Sequence, residues 1–116
     1  MKDNAGVITY KEKDYKIVFN LNVMEAIQEE FGTLDKWTEL TSGVNQEVSI
    51  KALKFGYTEM INEGLSIEAE EEGKEYVPIT SKFVGRMLTD IGLDTMTNKL
   101  QETIVESTKT DDGKNV

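Results

Sequence analysis

A chain of 116 residues with 22 acidic against 13 basic side chains, a formal charge of −9, no cysteine and no histidine has room for one small domain and one core. The two missing residue types exclude disulfide staples, thiol nucleophiles, imidazole bases, and zinc or haem ligation by those groups. Excess negative charge repels phosphate backbones and argues against a nucleic-acid partner, and no apolar run approaches the roughly 18 residues of a spanning helix, so a soluble, intracellular protein without a membrane partner is expected.

Val7-Ile8-Thr9-Tyr10 and Tyr15-Lys16-Ile17-Val18-Phe19 are β-branched and aromatic runs separated by the polar Lys11-Glu12-Lys13-Asp14, a pattern that predicts a β-hairpin. In the second run Tyr15, Ile17 and Phe19 alternate with Lys16 and Val18, giving one face to a core. Asn22, with Glu25 three residues on, predicts the cap of a first helix, and Leu21 with Ala26 a weak hydrophobic staple. That helix places Val23, Met24, Ile27 and Phe31 on one stripe and should stop at Gly32. Thr33 caps a second helix, Leu34 to about Leu40, with Leu34, Trp37 and Leu40 on a shared face. Thr41 to Glu47 reads as a loop.

Ser49 caps a third helix whose Ile50, Leu53, Tyr57, Met60 and Ile61 recur at helical spacing, with Gly64 as its predicted end. Gly56 inside it costs about 1 kcal/mol relative to alanine, which points to a close helix-to-helix approach or a tolerated defect. Leu65 to Pro78, rich in glutamate around Gly73, reads as a mobile acidic loop. Its acidic spacing lacks the ligand pattern of a calcium loop. A fourth helix, Ser81 to Ile91, follows Pro78 and Thr80, and a fifth begins at a predicted Asp94 cap with Met96, Leu100, Ile104 and Val105 as its stripe. The fold class expected is α+β, mainly α: an N-terminal β-hairpin followed by about five short amphipathic helices in one compact domain, residues 1–107. Residues 108–116 are polar and are expected to form a disordered tail.

No constellation in the sequence carries catalysis. The available carboxylates fall mostly on wet helix faces, as with Glu25 and Glu29 one turn apart, and no Gly-rich phosphate cradle follows either strand. A non-enzyme without cofactor or metal is expected. Five methionines suit either an adaptable binding surface or ordinary core filling, and the aromatic residues suit an interface or the single core equally well. On the binding alternative, Phe31, Trp37, Phe55, Met60, Phe83 and Met87 are the candidate partner-binding residues.

Three segments carry a family likeness. Phe19-Asn20-Leu21-Asn22-Val23-Met24-Glu25-Ala26-Ile27-Gln28-Glu29-Glu30-Phe31-Gly32 resembles the opening helix of tail assembly chaperones from long-tailed phages and prophages of Gram-positive hosts, a group that shades into gene-transfer-agent tail proteins. Leu53-Lys54-Phe55-Gly56-Tyr57-Thr58-Glu59-Met60-Ile61-Asn62-Glu63-Gly64 is similar to that family's second landmark. Phe83-Val84-Gly85-Arg86, followed by Asp90-Ile91-Gly92, is similar to the third. The likeness covers about residues 15 to 107. It implies a protein of the host cytoplasm that binds the tape measure protein, keeps it soluble while tail tube protein polymerises around it, and is absent from the finished virion. It also implies a longer frameshifted form, for which an A-rich codon run at Lys114-Asn115 is permitted.

Two functions of other classes fit the same composition: a virion structural subunit, tail-completion or tube-associated, and an acidic DNA mimic. The broad stripes Ile50 to Ile61 and Phe83 to Ile91 further predict weak self-association through apolar contacts.

Overall fold

The structure, a computed structural model, describes residues 6–44 and 46–108. Strands β1 (Gly6–Tyr10) and β2 (Lys13–Ile17) pair antiparallel with Ile8 opposite Tyr15 and Tyr10 opposite Lys13. The two-residue period sends Ile8, Tyr10, Tyr15 and Ile17 into the core while Val7, Thr9 and Lys16 face outward. The turn is Lys11-Glu12 alone, with φ of 51° and 66°, the sign pattern of a type I′ hairpin turn. Lys13 and Asp14, expected in the turn, already belong to β2. That strand ends at Ile17 rather than Phe19, because the Val18 N–H leaves the ladder and donates to the Met60 carbonyl at 3.2 Å.

Five helices follow: α1 (Leu21–Phe31), α2 (Leu34–Ser42), α3 (Ile50–Glu72), α4 (Ser81–Ile91) and α5 (Leu93–Thr108). Thr33, Ser49 and Thr80 cap α2, α3 and α4 through hydroxyls that accept from Lys36, Ala52 and Phe83 N–H. The cap of α1 is Asn20, not Asn22: Asn20 Oδ1 accepts from Val23 N–H, and the amides of Asn20 and Asn22 both donate to Glu63 Oε2, at 2.9 and 3.0 Å. Tying both amides to α3 starts the helix a residue before Asn22, and Leu21, 70% exposed, forms no staple. Helix α2 runs two residues past its expected end, with buried Thr41 donating back to the Trp37 carbonyl at 3.0 Å. Asp94 is not a cap either. It sits in the first turn of α5, where a carboxylate favours the helix dipole.

Helix α3 is the axis of the molecule, packing against β2, α1, α2 and α4. At 23 residues it is about 34 Å long. Trp37 lies on it at Gly56, where an added Cβ would collide with the indole Cζ2, and the Trp37 Nε1–H donates to the Ala52 carbonyl at 3.0 Å. Gly56 therefore marks a close helix approach. At Gly64 the approach is to backbone: a Cβ there would meet the Lys16 carbonyl oxygen at 2.7 Å. Gly64 admits β2 and does not end the helix, so the expected acidic loop is corrected. Leu65 to Glu72 is helical, its Ala69 is buried, and the cap comes at Gly73 with φ 66°. The Lys74 N–H then closes on the Ala69 carbonyl at 2.9 Å, a Schellman-type end. The return to α4 is clamped by Asn62, whose amide both accepts from Ile79 N–H and donates to Ile79 O, at 2.8 and 3.1 Å.

Helix α5 buries Met96, Leu100, Thr103 and Ser107, a 4-3-4 spacing that leaves Val105, expected on the stripe, 56% exposed. Thr108, expected in the tail, is its last residue. Residues 109–116, with the rest of that tail and Lys114-Asn115, lie outside the described residues.

Candidate partner-binding groove

The N-terminal half of α3 and the length of α4 lie side by side with an open groove between them. Ile50 and Lys54 from α3, Gly85, Leu88 and Thr89 from α4, and Leu93 at the start of α5 line its centre. Ser49 and Thr80 start the two helices so that Ile50 and Ser81 stand near one another along the groove. Toward one side the groove widens over Phe55, Thr58 and Glu59; toward the other it reaches Tyr10, Phe83, Arg86 and Asp90. Its floor is apolar and open, with Ile50 50% and Leu93 41% exposed.

The rim inverts the charge balance of the chain. Lys11, Lys51, Lys54, Lys82 and Arg86 line the groove against Glu59 and Asp90, in a protein with 22 acidic and 13 basic residues, while Ile50 and Leu93 also border a neighbouring cavity that holds Glu47 and Asp94. Lys51 pairs with Glu30 at 3.4 Å, both side chains exposed, a contact of little energetic weight. Among the described residues Lys54, Lys82 and Arg86 form no ion pair. Asp90 accepts from the Tyr10 hydroxyl at 2.5 Å, and that hydrogen bond, before burial and the carboxylate's own charge, holds the phenol above its ordinary pKa. Burial first, and then the Glu63 charge one turn away, raise the Glu59 carboxyl. Tyr57 is pushed up by burial and donates its hydroxyl to the Met96 carbonyl at 2.6 Å. These groups are separate from one another and do not converge on a common point where a reacting atom could sit. Among the described residues no three acidic side chains are grouped to hold a metal ion, and no helix is long and apolar enough to cross a membrane.

The six candidate binding residues divide by burial. Trp37, Met60 and Met87 are fully enclosed in the core, where Trp37 stacks on Phe19 with ring centroids 6.1 Å apart. They present no surface to a partner in this packed state. Phe31, Phe55 and Phe83 are half-buried. Phe55 lines the part of the groove beside Thr58 and Glu59, and Phe83 the part beside Tyr10 and Arg86. Phe31 stands behind Phe55 in an edge contact at 5.5 Å, and Phe83 meets the rings of Tyr10 at 5.6 Å and Tyr15 at 5.9 Å. Ile50, Leu93 and the cationic rim were not among the sequence candidates. Their signal is a concentration of basic residues at the starts of two helices, Lys51 and Lys54 in one and Lys82 and Arg86 in the other, within a chain that is otherwise acidic.

Comparison of the chain with family models, curated proteins and solved structures finds no match.

Proposed function

We propose that the protein is a non-enzymatic tail assembly chaperone of the host bacterial cytoplasm that binds the tape measure protein, keeps it soluble while tail tube protein assembles, and stays out of the finished virion. The observation that carries this reading is the α3–α4 groove. Its open apolar floor and two flanking helices fit an amphipathic helical segment laid lengthwise, the form expected of a long helical client. Two of the three segments that resemble the chaperone family form its walls: Lys54 and Phe55 belong to one, and Phe83, Gly85 and Arg86 to the other. A strong negative charge elsewhere on the surface favours solubility of the loaded complex.

Co-expression with the tape measure protein tests the proposal. The client's soluble yield should rise and the two should co-purify at moderate salt. A client that remains insoluble and never associates would remove the chaperone reading.

A further inference from the structure

Three hollows adjoin along the groove. Ile50 and Leu93 border both its centre and the cavity beyond them, while Lys54, Gly85 and Thr89 border both its centre and the hollow on the Tyr10 side. Charge changes sign along this line. Past Ile50 and Leu93 the charged lining is Glu47 and Asp94, beside the neutral Gln46 and Asn98, with no cation among the described residues. At the centre Leu88 joins Ile50 and Leu93, and Lys54 supplies the charge. At the far end Lys11, Lys54, Lys82 and Arg86 stand against Asp90, which already accepts from the Tyr10 hydroxyl. Lys54 marks the changeover: a Cβ added at Gly85 would lie 3.5 Å from its Cε and 3.6 Å from its Nζ, so its side chain reaches from α3 across to α4. The branch toward Phe55 adds Lys51 and Glu59, whose charges offset. Glu47, Lys82, Arg86 and Asp94 are exposed and so available to a ligand.

We propose that the groove selects its client by charge order as well as by apolar fit: the segment it takes is an amphipathic helix with carboxylates at one end of its contact face, apolar side chains in the middle, and lysine or arginine at the other end. The proposal rests on the reading that a client helix lies in the groove, and adds which helix and which way round. The client's carboxylates meet Lys54, Lys82 and Arg86, its cations meet Glu47 and Asp94, and its apolar face covers Ile50, Leu88 and Leu93. Arg86 to Ile91 is about 8 Å of α4, and Asp94 lies beyond that helix, so the two charged ends of the client's face are about two helical turns apart or more. A nucleic-acid backbone is anionic along its whole length and is repelled at the Glu47 and Asp94 end. A uniformly basic helix is repelled at the other. Complementary charge of this kind sets orientation and rejects wrong partners more than it adds affinity.

Three synthetic helical peptides with one shared apolar stripe separate charge order from apolar fit: one with glutamates at one end and lysines at the other, one with glutamates at both ends, and one with lysines at both. Fluorescence anisotropy of the labelled peptides against the full chain near physiological salt should show the mixed peptide binding about tenfold or more tighter than either uniform one. The net charge of −9 favours the all-lysine peptide wherever it lands, so a preference for the mixed peptide reports the groove. Lys82→Glu with Arg86→Glu should shift the preference to the all-lysine peptide, and Glu47→Lys with Asp94→Asn to the all-glutamate one, with circular dichroism retained in both variants. Equal binding of the three peptides overturns the proposal. So does binding of none of them, a wild-type preference for a uniform peptide, or a folded variant that keeps the wild-type order. The chaperone reading fails separately, by co-expression: a client kept soluble by a chain that does not discriminate the peptides leaves that reading and removes charge order, and an insoluble client beside clear discrimination does the reverse.

Discussion

The two halves of α3 are one helix by geometry and two by energetics. From Ile50 to Gly64 the inner half buries Ala52, Leu53, Gly56, Tyr57, Met60 and Ile61, and the hairpin, α1, α2 and α4 are assembled around the helix. From Leu65 to Glu72 only Ala69 is buried, and Glu70 to Glu72 are exposed. The inner half is helical because its apolar face has partners on several sides, which is the usual source of helix stability in proteins. The outer half continues an existing helix, made of good helix formers and closed by a left-handed Gly73. Local opening therefore costs little in the outer half and approaches global unfolding in the inner half. The inner half fixes the groove wall, and the outer half projects charge.

Substitutions should separate the two. Leu53→Ala should destabilise by about 2–5 kcal/mol, while Glu71→Ala on the outer half should stay within about 0.5 kcal/mol of wild type; urea denaturation measures both, and equal effects would erase the distinction. Gly64→Ala should cost about 1–3 kcal/mol by pushing β2 off the helix. If Gly64 were instead the end of the helix, the same change would leave the Lys16 contact unaffected. Glu12→Gly should raise stability by about 1 kcal/mol, since glycine takes the positive φ at that turn position without the Cβ penalty. Hydrogen exchange sharpens this case: protection should rise for the inner-half amides, which follow global unfolding, and not for Glu70 to Glu72.

The smallest effect concerns Glu59, on the inner half beside the groove. Its folded pKa is raised, so the folded state holds more protons than the unfolded state between the ordinary carboxylate value and the raised one, and stability falls as pH increases through that window. Glu59→Gln should equal or exceed wild type in melting temperature at neutral pH. The advantage should vanish below about pH 4, where both forms of the wild-type carboxyl are protonated.

The hairpin, the sequence of five helices and most of the core were legible because period-two and helical stripes report directly on burial, as at Ile17, Leu53 and Val84. Glycine was the weak point. At Gly32 and Gly92 it follows a helix end as expected, and at Gly73 it does the same. At Gly64 the identical residue serves a close approach by a strand 48 positions earlier in the chain at Lys16, and nothing local to Gly64 distinguishes the two uses. Asn20 and Asn22 posed a similar ambiguity, which Glu63 resolves through tertiary contact. For the site, aromatic and methionine residues mark apolar surface without saying which side of it faces the core. Trp37, Met60 and Met87 went inward, and Phe55 and Phe83 share the groove lining with Ile50 and Lys54.

On the proposed function, the tape measure protein would occupy the α3–α4 groove and not the acidic end of α3. Soluble tape measure protein recovered on co-expression with two variants tests it most directly. Ile50→Asp with Leu93→Asp alters two exposed floor positions at helix starts, where aspartate is tolerated, and should abolish the gain in soluble client. Glu70→Ala with Glu71→Ala should preserve it. Preserved yield with the groove variant, or loss confined to the acidic-end variant, would contradict the account.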